Sequence, residues 1–394
     1  MSDVSTSKIA MGCIALAGMV AVVVAMGCDN SSTASQERPR GKPTRLLRLP
    51  APPETTDSCR KHDGKSPLII PMRADDNGIF IVNIGVEDDD GNTQWIKAAV
   101  DTGSEAMLVA GDECDGCEEG IHMGTVKNDG VLLQRGTIRY GSQQDTVAWR
   151  SKIIRIPAWL HTCDPLDHDG AHTDITQCIV GEVPVAVVES RTGTSDYNIL
   201  GLGSQSARGP PATLNALFPQ PPRAFQIQVH SDTEARLIIH KPDGAAGCRA
   251  PKYKFAVKDK NLGHAHHYLV AGKDATLFKT GAIGGSNPGT PISDKTYDVL
   301  FDTGANAISL PAEIYDAIHN TNHVKGVLAL TFTTMDQNDQ VTLRLDYDRR
   351  DKFNAQVLKG HSQDMLIIGI TFLKNHSLGF EDDGQTRVMT LDYL

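Results

Sequence analysis

The chain has 394 residues, of which 40% are hydrophobic and 22% charged, with 36 glycines and 20 prolines. A single hydrophobic core stops growing near roughly 250–300 residues, so this length predicts two core-forming units. The formal net charge of -10, from 48 acidic and 38 basic residues, argues against a general affinity for nucleic acid. We therefore expect a globular protein with no nucleic-acid partner.

An uncharged apolar segment, residues 9–27, follows Lys8 at the N-terminus. This pattern predicts an export signal, so the body of the protein is expected in the periplasm or outside the cell. The run that ends in Met26, Gly27 and Cys28 resembles the lipobox of bacterial lipoproteins, which makes Cys28 the candidate lipidation site. Two alternatives stay open: an uncleaved membrane anchor, since about 19 apolar residues can just span a bilayer, and an ordinary cleaved signal.

Residues 29–66 are rich in Ser, Thr, Pro and Arg and contain little that could form a core. This composition predicts a flexible tether between the membrane-directed segment, residues 1–28, and the folded body. The alternative is an inhibitory pro-segment whose basic side chains pair with catalytic carboxylates.

Six cysteines follow the N-terminal segment: Cys59, Cys114, Cys117, Cys163, Cys178 and Cys248. An even number in an exported chain predicts disulfide bonds. Cys114 with Cys117 would close a small loop and Cys163 with Cys178 would staple a hairpin, which leaves Cys59 with Cys248 by elimination. A zinc site at Cys114 and Cys117 is the competing interpretation, but no second CxxC or HxxxH completes four ligands. We therefore predict no metal.

Beyond the tether, short β-branched runs alternate with clusters of Gly, Asp and Asn, which predicts a β-rich fold. Helical patterns are few, and the best cover residues 212–217 and 312–319. The predicted strands are 68–70, 79–84, 95–100, 131–133, 146–149, 152–156, 183–188, 225–229, 237–240, 253–257, 299–301, 327–333, 341–345 and 365–368.

An apolar strand runs directly into Asp-Thr-Gly twice, at residues 98–104 and 299–305. Two copies arise by chance in fewer than about one in a hundred chains of this length. With the two loops face to face, Asp101 and Asp302 cannot both ionise, so they share one proton. The ionised partner can take a proton from water as it attacks a peptide carbonyl, while the protonated partner hydrogen-bonds the carbonyl oxygen. This chemistry requires no cofactor.

The neighbours of each aspartate suit this arrangement. The glycine of each motif lets backbone N–H groups approach the carboxylates closely, and each threonine can hydrogen-bond the backbone of the opposite loop. The predicted active-site loops therefore consist of Thr102, Gly103, Ser104, Thr303, Gly304 and Ala305.

Further segments in the same order along residues 67–394 resemble the pepsin family of aspartic endopeptidases. Residues 71–85 look like that family's first strands, and residues 138–142 look like its flap hairpin. Residues 198–203 and 366–369 resemble the apolar-apolar-Gly segments that thread behind each Asp loop, and residues 372–381 are similar to the last strands.

The resemblance implies a role for the flap residues. Tyr140 would close over the scissile bond and help exclude water, with Gly141 and Ser142 beside it in the substrate-binding flap. A tyrosine that merely packs on a hairpin is the alternative.

Two positions depart from the family pattern: Ala305 stands where Thr or Ser is usual, and Leu108 stands where a Trp often supports the flap. A missing donor at Ala305 should raise the proton affinity of Asp302 and shift activity toward less acid conditions.

The resemblance therefore implies an all-β, bilobal, pepsin-like acid protease fold, with β-barrel lobes at residues 67–224 and 225–394 and a substrate cleft between them. The expected function is hydrolysis of an extended peptide or protein substrate by an aspartic endopeptidase that is monomeric and attached to a membrane through its N-terminus. A catalytically weak or inactive binding protein of the cell envelope is the alternative, because a fold does not dictate activity.

Overall fold

β-strands dominate the part of the chain that the structure describes. The computed structural model describes residues 60–61, 67–117, 123–140, 143–160, 176–193, 197–203, 212–217, 223–240, 253–258, 268–279, 289–321, 324–337, 339–348, 356–360, 362–382 and 386–393. Within these ranges the helices are α1 (Thr213–Leu217), α2 (Ala312–Asn320) and one 3-10 turn, Ile370–Leu373. The predicted all-β class is confirmed.

The strands of the described residues form two sheets. In chain order they are β1 (Arg60–Lys61), β2 (Leu68–Ala74), β3 (Phe80–Glu87), β4 (Thr93–Asp101), β5 (Met107–Asp115), β6 (Val131–Tyr140), β7 (Gln143–Leu160), β8 (Thr176–Thr192), β9 (Ile199–Gly201), β10 (Arg223–Val229), β11 (Glu234–His240), β12 (Tyr253–Ala256), β13 (Leu269–Lys279), β14 (Thr290–Ser293), β15 (Tyr297–Asp302), β16 (Ile308–Leu310), β17 (Lys325–Thr333), β18 (Gln340–Asp348), β19 (Val357–Lys359), β20 (Met365–Gly369), β21 (His376–Asp382) and β22 (Arg387–Tyr393).

The first sheet has 14 strands in the order β1-β8-β5-β9-β4-β3-β7-β2-β11-β10-β21-β22-β12, and β6 pairs with β7. The second sheet has 8 strands in the order β18-β17-β13-β15-β20-β16-β19, and β14 pairs with β13. The predicted boundary at residue 224 falls inside β10, and β11 from beyond it pairs with β2. Strands from both predicted units therefore share the first sheet.

A five-strand arrangement occurs once in each sheet. The order β8-β5-β9-β4-β3 of the first sheet matches β19-β16-β20-β15-β13 of the second. The directions also match, because β4 is parallel to β9 as β15 is to β20, and β5 is parallel to β8 as β16 is to β19. Consequently β4 and β15, the two strands that end in the Asp-Thr-Gly motifs, occupy equivalent positions.

The strands that carry the motifs are buried on both faces. All six residues of β15 are buried, as are the last four of β4, Ala98 to Asp101. Each strand lies between an antiparallel and a parallel neighbour, so an almost continuous apolar run, rather than an alternating one, is what this position requires. One cluster of buried side chains includes Val82 and Val100 of the first sheet together with Phe301 and Leu366 of the second.

Cys114 and Cys117 form a disulfide bond that closes the small loop after β5. Cys178 is also disulfide-bonded, and its partner lies outside the described residues. Cys59, Cys163 and Cys248 lie outside them too, so the remaining pairings stay predictions.

The N-terminal predictions also fall largely outside the described residues, which exclude 1–59 and with them Cys28. Within the segment predicted as a tether, Arg60 and Lys61 form β1, which pairs with β8 in parallel. No helix among the described residues is both long and apolar enough to cross a membrane.

His230, at the turn after β10, makes the stability of the fold dependent on pH. Burial and the nearby Arg236 lower the pKa of His230, while Glu234 opposes them, and no partner within the described residues hydrogen-bonds its buried Nε2. Folding therefore favours the neutral ring. The contribution of His230 is fully present above about pH 6.5, the unfolded value, and is lost as the pH falls through the lowered folded value.

We expect His230→Phe to flatten the acid-side loss of stability, because the variant has no ring to protonate. Urea unfolding of both proteins from neutral pH to about pH 5, across the range in which histidine titrates, measures the difference. An unchanged dependence of the unfolding free energy on pH would contradict this role for His230.

Candidate active site

The structure brings the two predicted catalytic aspartates together. Asp101 ends β4 and Asp302 ends β15, and their exposed fractions are only 4% and 3%. A Cβ added to Gly103 would lie 2.8 Å from both carboxylate oxygens of Asp302, and one added to Gly304 would lie 2.5 Å from Cγ of Asp101. Each carboxyl group therefore packs against the glycine of the opposite motif, where no larger residue fits.

The threonines of the two motifs join the loops by reciprocal hydrogen bonds. Thr102 Oγ1 donates to the carbonyl of Phe301 at 2.6 Å and accepts from the N–H of Thr303 at 3.1 Å. Thr303 Oγ1 donates to the carbonyl of Val100 at 2.7 Å and accepts from the N–H of Thr102 at 3.1 Å. Both side chains are fully buried, so water cannot replace these bonds if they are broken.

Donors surround the carboxylate of Asp101. The N–H of Gly103 donates to Oδ1 at 2.7 Å, and the hydroxyl of Ser104 donates to Oδ2 at 2.5 Å. Hydrogen bonds of this kind favour the ionised form of a carboxyl group. Asp101 is therefore equipped to carry the negative charge of the pair.

Asp302 has no hydroxyl donor from its own loop. The N–H of Gly304 donates to Oδ1 at 2.9 Å, but residue 305 is alanine and has no hydroxyl. The pKa of Asp302 is raised well above its ordinary value, first by burial, then by the charge of Asp101 and by a hydrogen bond between the two carboxyl groups, while the N–H groups of Gly304 and Ala305 oppose the rise. Of the two carboxyl groups, Asp302 is therefore the one whose protonated form is favoured.

A short strand threads beside each aspartate, as the sequence predicts. β9 pairs with β4 so that Gly201 is opposite Asp101, and β20 pairs with β15 so that Gly369 is opposite Asp302. A Cβ at Gly201 would lie 2.5 Å from the carbonyl oxygen of Ala106, and one at Gly369 would lie 2.4 Å from that of Ala307. Glycine is required because the backbone passes this close to the Asp loops.

Asn198 is a positioning residue that the sequence analysis missed. It is 1% exposed, and its Oδ1 accepts from the N–H of Ala110 at 2.8 Å. Its Nδ2 donates to the carbonyls of Lys97 at 3.1 Å and Gly124 at 2.9 Å. These contacts tie β4 and β5 to the start of β9. The available signal was a lone polar residue directly before an apolar-apolar-Gly run.

A further hydrogen bond joins the two sheets beside the Asp loops. Asn306 Nδ2 donates to the carbonyl of Asn77 at 2.7 Å, and the Asn306 carbonyl accepts from Thr371 Oγ1 at 2.6 Å. Asn77 Nδ2 in turn donates to the hydroxyl of Tyr197 at 2.8 Å. The loop after Asp302 is thereby tied to the β2–β3 turn of the first sheet.

The hairpin of β6 and β7 carries the predicted flap residues. Tyr140 pairs with Gln143 at its end, while the side chain of Tyr140 and the residues Gly141 and Ser142 lie outside what the structure describes. Nothing described tests their predicted contact with substrate.

The hairpin rests on a small apolar cluster. Leu108, at the position predicted to weaken flap support, is completely buried there, and Ile138 of β6 packs against it. The other members are Val147, Trp149, Ala186, Val188 and Ile199, with Ala106, Cys114 and Cys117 at the edge. The hairpin is therefore supported from below by aliphatic packing.

A buried ion pair that the sequence did not predict lies in the same region. Arg191 Nε and Nη2 each donate to an oxygen of Asp145 at 3.0 Å, and both side chains are at most 1% exposed. The pair joins β7 to β8 in the ladder that continues into the hairpin. Breaking a buried pair of this kind is strongly destabilising because it leaves one charge without compensation.

Comparison with known proteins finds no protein-family model and no curated protein that matches the sequence. The function must therefore be argued from the arrangement of the site's own residues. Among the residues that the structure describes, no three His, Cys, Asp or Glu side chains are grouped so that they could hold a metal ion.

The reciprocal threonine bonds generate a stability prediction. Thr102→Val keeps the shape of the side chain but leaves the carbonyl of Phe301 and the N–H of Thr303 without partners in a buried place. We expect a loss of about 2–4 kcal/mol in the free energy of unfolding, measured by urea denaturation.

Thr331→Val is the matched control, since the Thr331 hydroxyl meets that of Thr342 at 3.5 Å near the surface. Its expected effect is within about 0.5 kcal/mol. Equal losses of unfolding free energy in the two variants would contradict a stabilising role for the threonine hydrogen bonds between the loops.

Proposed function

We propose that the protein is an aspartic endopeptidase, a hydrolase of peptide bonds in which Asp101 and Asp302 act as the catalytic pair. The observation that carries this proposal is the packing of each carboxyl group against the glycine of the opposite motif. Two carboxyl groups held this close in a buried position must share a proton. A pair in that state offers a base and an acid at the same place.

The chemistry follows from the unequal surroundings of the two groups. The carboxylate of Asp101, held by Gly103 and Ser104, takes a proton from the attacking water, while Asp302 gives its proton to the peptide carbonyl oxygen. A C–O bond forms and a tetrahedral diol results. When the diol collapses, Asp101 gives its proton to the amide nitrogen and the C–N bond breaks. One diol hydroxyl returns its proton to Asp302, so the pair again holds one proton.

The proposal includes the bilobal pepsin-like architecture. The five-strand arrangement shared by the two sheets and the equivalent positions of β4 and β15 support two related halves with the aspartates at their junction. An extended peptide would lie between the halves with alternate side chains in opposite pockets. In this proposal Tyr140, Gly141 and Ser142 close over the peptide and exclude water.

The proposal also includes the cellular setting. An export signal at residues 1–28, with lipid carried by Cys28, would hold the protein at a membrane with the catalytic body outside the cytosol. The disulfide between Cys114 and Cys117 is the kind of bond that persists in an oxidising compartment. A single chain supplies both aspartates, so a monomer suffices for activity.

Replacement of either catalytic carboxyl group tests the proposal. We expect Asp101→Asn and Asp302→Asn to lower kcat for a denatured protein substrate by about 10²- to 10⁴-fold, because each variant lacks one partner in general acid–base catalysis. Asp298→Asn is the matched control: Asp298 is a buried residue of the same β15 and pairs with Lys258 rather than with the site. Its folded fraction should retain full turnover.

A statine-type transition-state analogue separates the two functional classes. An endopeptidase is blocked by the analogue, and its activity appears between acid and neutral pH. Binding of the analogue or of peptides without any cleavage over that range would instead favour the non-catalytic binding protein.

The asymmetry of the pair predicts the pH profile. In Ala305→Ser, a new hydroxyl can donate to the Asp302 carboxylate and lower its pKa, so we expect the upper limb of the kcat/KM profile to move to lower pH by about one unit. Ser104→Ala removes a donor on the opposite side and should move the lower limb to higher pH. Identical profiles for both variants and the unmodified protein would contradict this account.

A further inference from the structure

Four large aliphatic side chains stand exposed at one end of the β6–β7 hairpin. The exposed fractions are 70% for Val131, 46% for Leu132, 48% for Leu133 and 37% for Ile153. Among the described residues, the other large hydrophobic side chain this exposed is Met335 at 44%, which follows β17 in the second sheet. Exposed apolar groups that are contiguous, rather than scattered, mark interaction surfaces.

A β-bulge marks the apolar end of β6, a strand that is exposed along most of its length. In a regular strand, alternate side chains point to opposite faces, so one face of β6 could have been buried. Leu132 pairs with Arg150 and Gln134 with Trp149, and the register shifts between them. Leu133 is therefore the extra residue of a β-bulge, at the end of the hairpin where β7 continues into its ladder with β8.

The bulge also limits the kind of partner that could bind to the exposed aliphatic side chains. β6 pairs with β7 alone among the described strands, so its outer edge could in principle receive another strand. A bulge interrupts the regular ladder that strand addition needs, and Arg135, held by Glu189, follows it. The apolar end is thus suited to side-chain insertion rather than to pairing with a second chain.

The position at which the chain joins the first sheet favours a lipid surface. β1 pairs with Gln177 and Cys178 near the start of β8, while Ile153 is opposite Glu182 in the adjoining ladder. Cys178 and Glu182 are about 13 Å apart along β8. The apolar segment 9–27 precedes β1 in the sequence, and residues 29–59 can span at most about 100 Å. The exposed end can therefore reach any bilayer that holds the N-terminus.

We propose that Val131, Leu132, Leu133 and Ile153 insert into the surface of the bilayer to which the N-terminal segment attaches the protein. Attachment makes the contact intramolecular, so even weak insertion is effective. Two cations beside this end of the hairpin are paired, Lys152 with Asp129 and Arg135 with Glu189, so we expect an apolar contact that is insensitive to salt.

The test places a fluorescent reporter at the proposed contact. Full-length Leu132→Trp and, as the matched control, Met335→Trp are reconstituted in phosphatidylcholine vesicles with and without brominated acyl chains. We expect brominated lipid to quench the emission added by Leu132→Trp, at low and high salt alike, and to leave the emission added by Met335→Trp unchanged. Unfolding of each variant in urea confirms that both are folded.

Quenching that is equal in the two variants, or absent from both, would overturn the proposal. Absent quenching together with a particle mass that rises with protein concentration would identify a second copy of the chain as the occupant instead. The inference rests on the proposed attachment of the N-terminus to a membrane, which co-sedimentation of the unmodified protein with the vesicles tests separately. The readout does not use peptide cleavage, so its outcome is independent of the proposed protease activity.

Discussion

Bringing two acidic side chains together in a buried space raises the free energy unless they share a proton and donors surround the remaining charge. At the Asp101–Asp302 pair, the pKa of Asp302 is raised and donors surround Asp101. Gly103 and Gly304 have no side chain because the opposite carboxyl group occupies that space. The strands that deliver the motifs are buried on both faces, which keeps the pair away from bulk water.

The two Asp-Thr-Gly loops are alike in the hydrogen bonds that join them but unlike in the donors that surround their carboxyl groups. Thr102 and Thr303 exchange equivalent bonds across the junction, which holds the loops in one geometry. Ser104 supplies a hydroxyl donor on one side, whereas Ala305 on the other side has only its backbone N–H. A symmetric frame thus positions two carboxyl groups with unequal donors, and in the proposed reaction one of them gives a proton while the other takes one.

The local sequence pattern predicted most of the strands. Each strand that it missed or divided in the examples below contains polar residues. The polar residues Arg150 and Ser151 suggested two strands where one, β7, runs through, because both residues take part in its ladders. β13 was missed since Asp274 interrupts it with a positive φ of 54° and the register shifts there. β5 was missed because its second half, after Gly111, is polar and largely exposed. Tertiary pairing decided these cases.

At the site, the sequence by itself determined which residues could form the pair, because an apolar strand that ends in Asp-Thr-Gly carries its chemistry within a few adjacent positions. The tertiary structure alone decided that the two copies meet and that the pKa of Asp302 is raised, since burial and the charge of Asp101 depend on residues about half the chain away. It also decided the roles of Asn198 and of the Asp145–Arg191 pair. Hydrogen bonds and ion pairs between distant segments leave no periodic signal in a sequence.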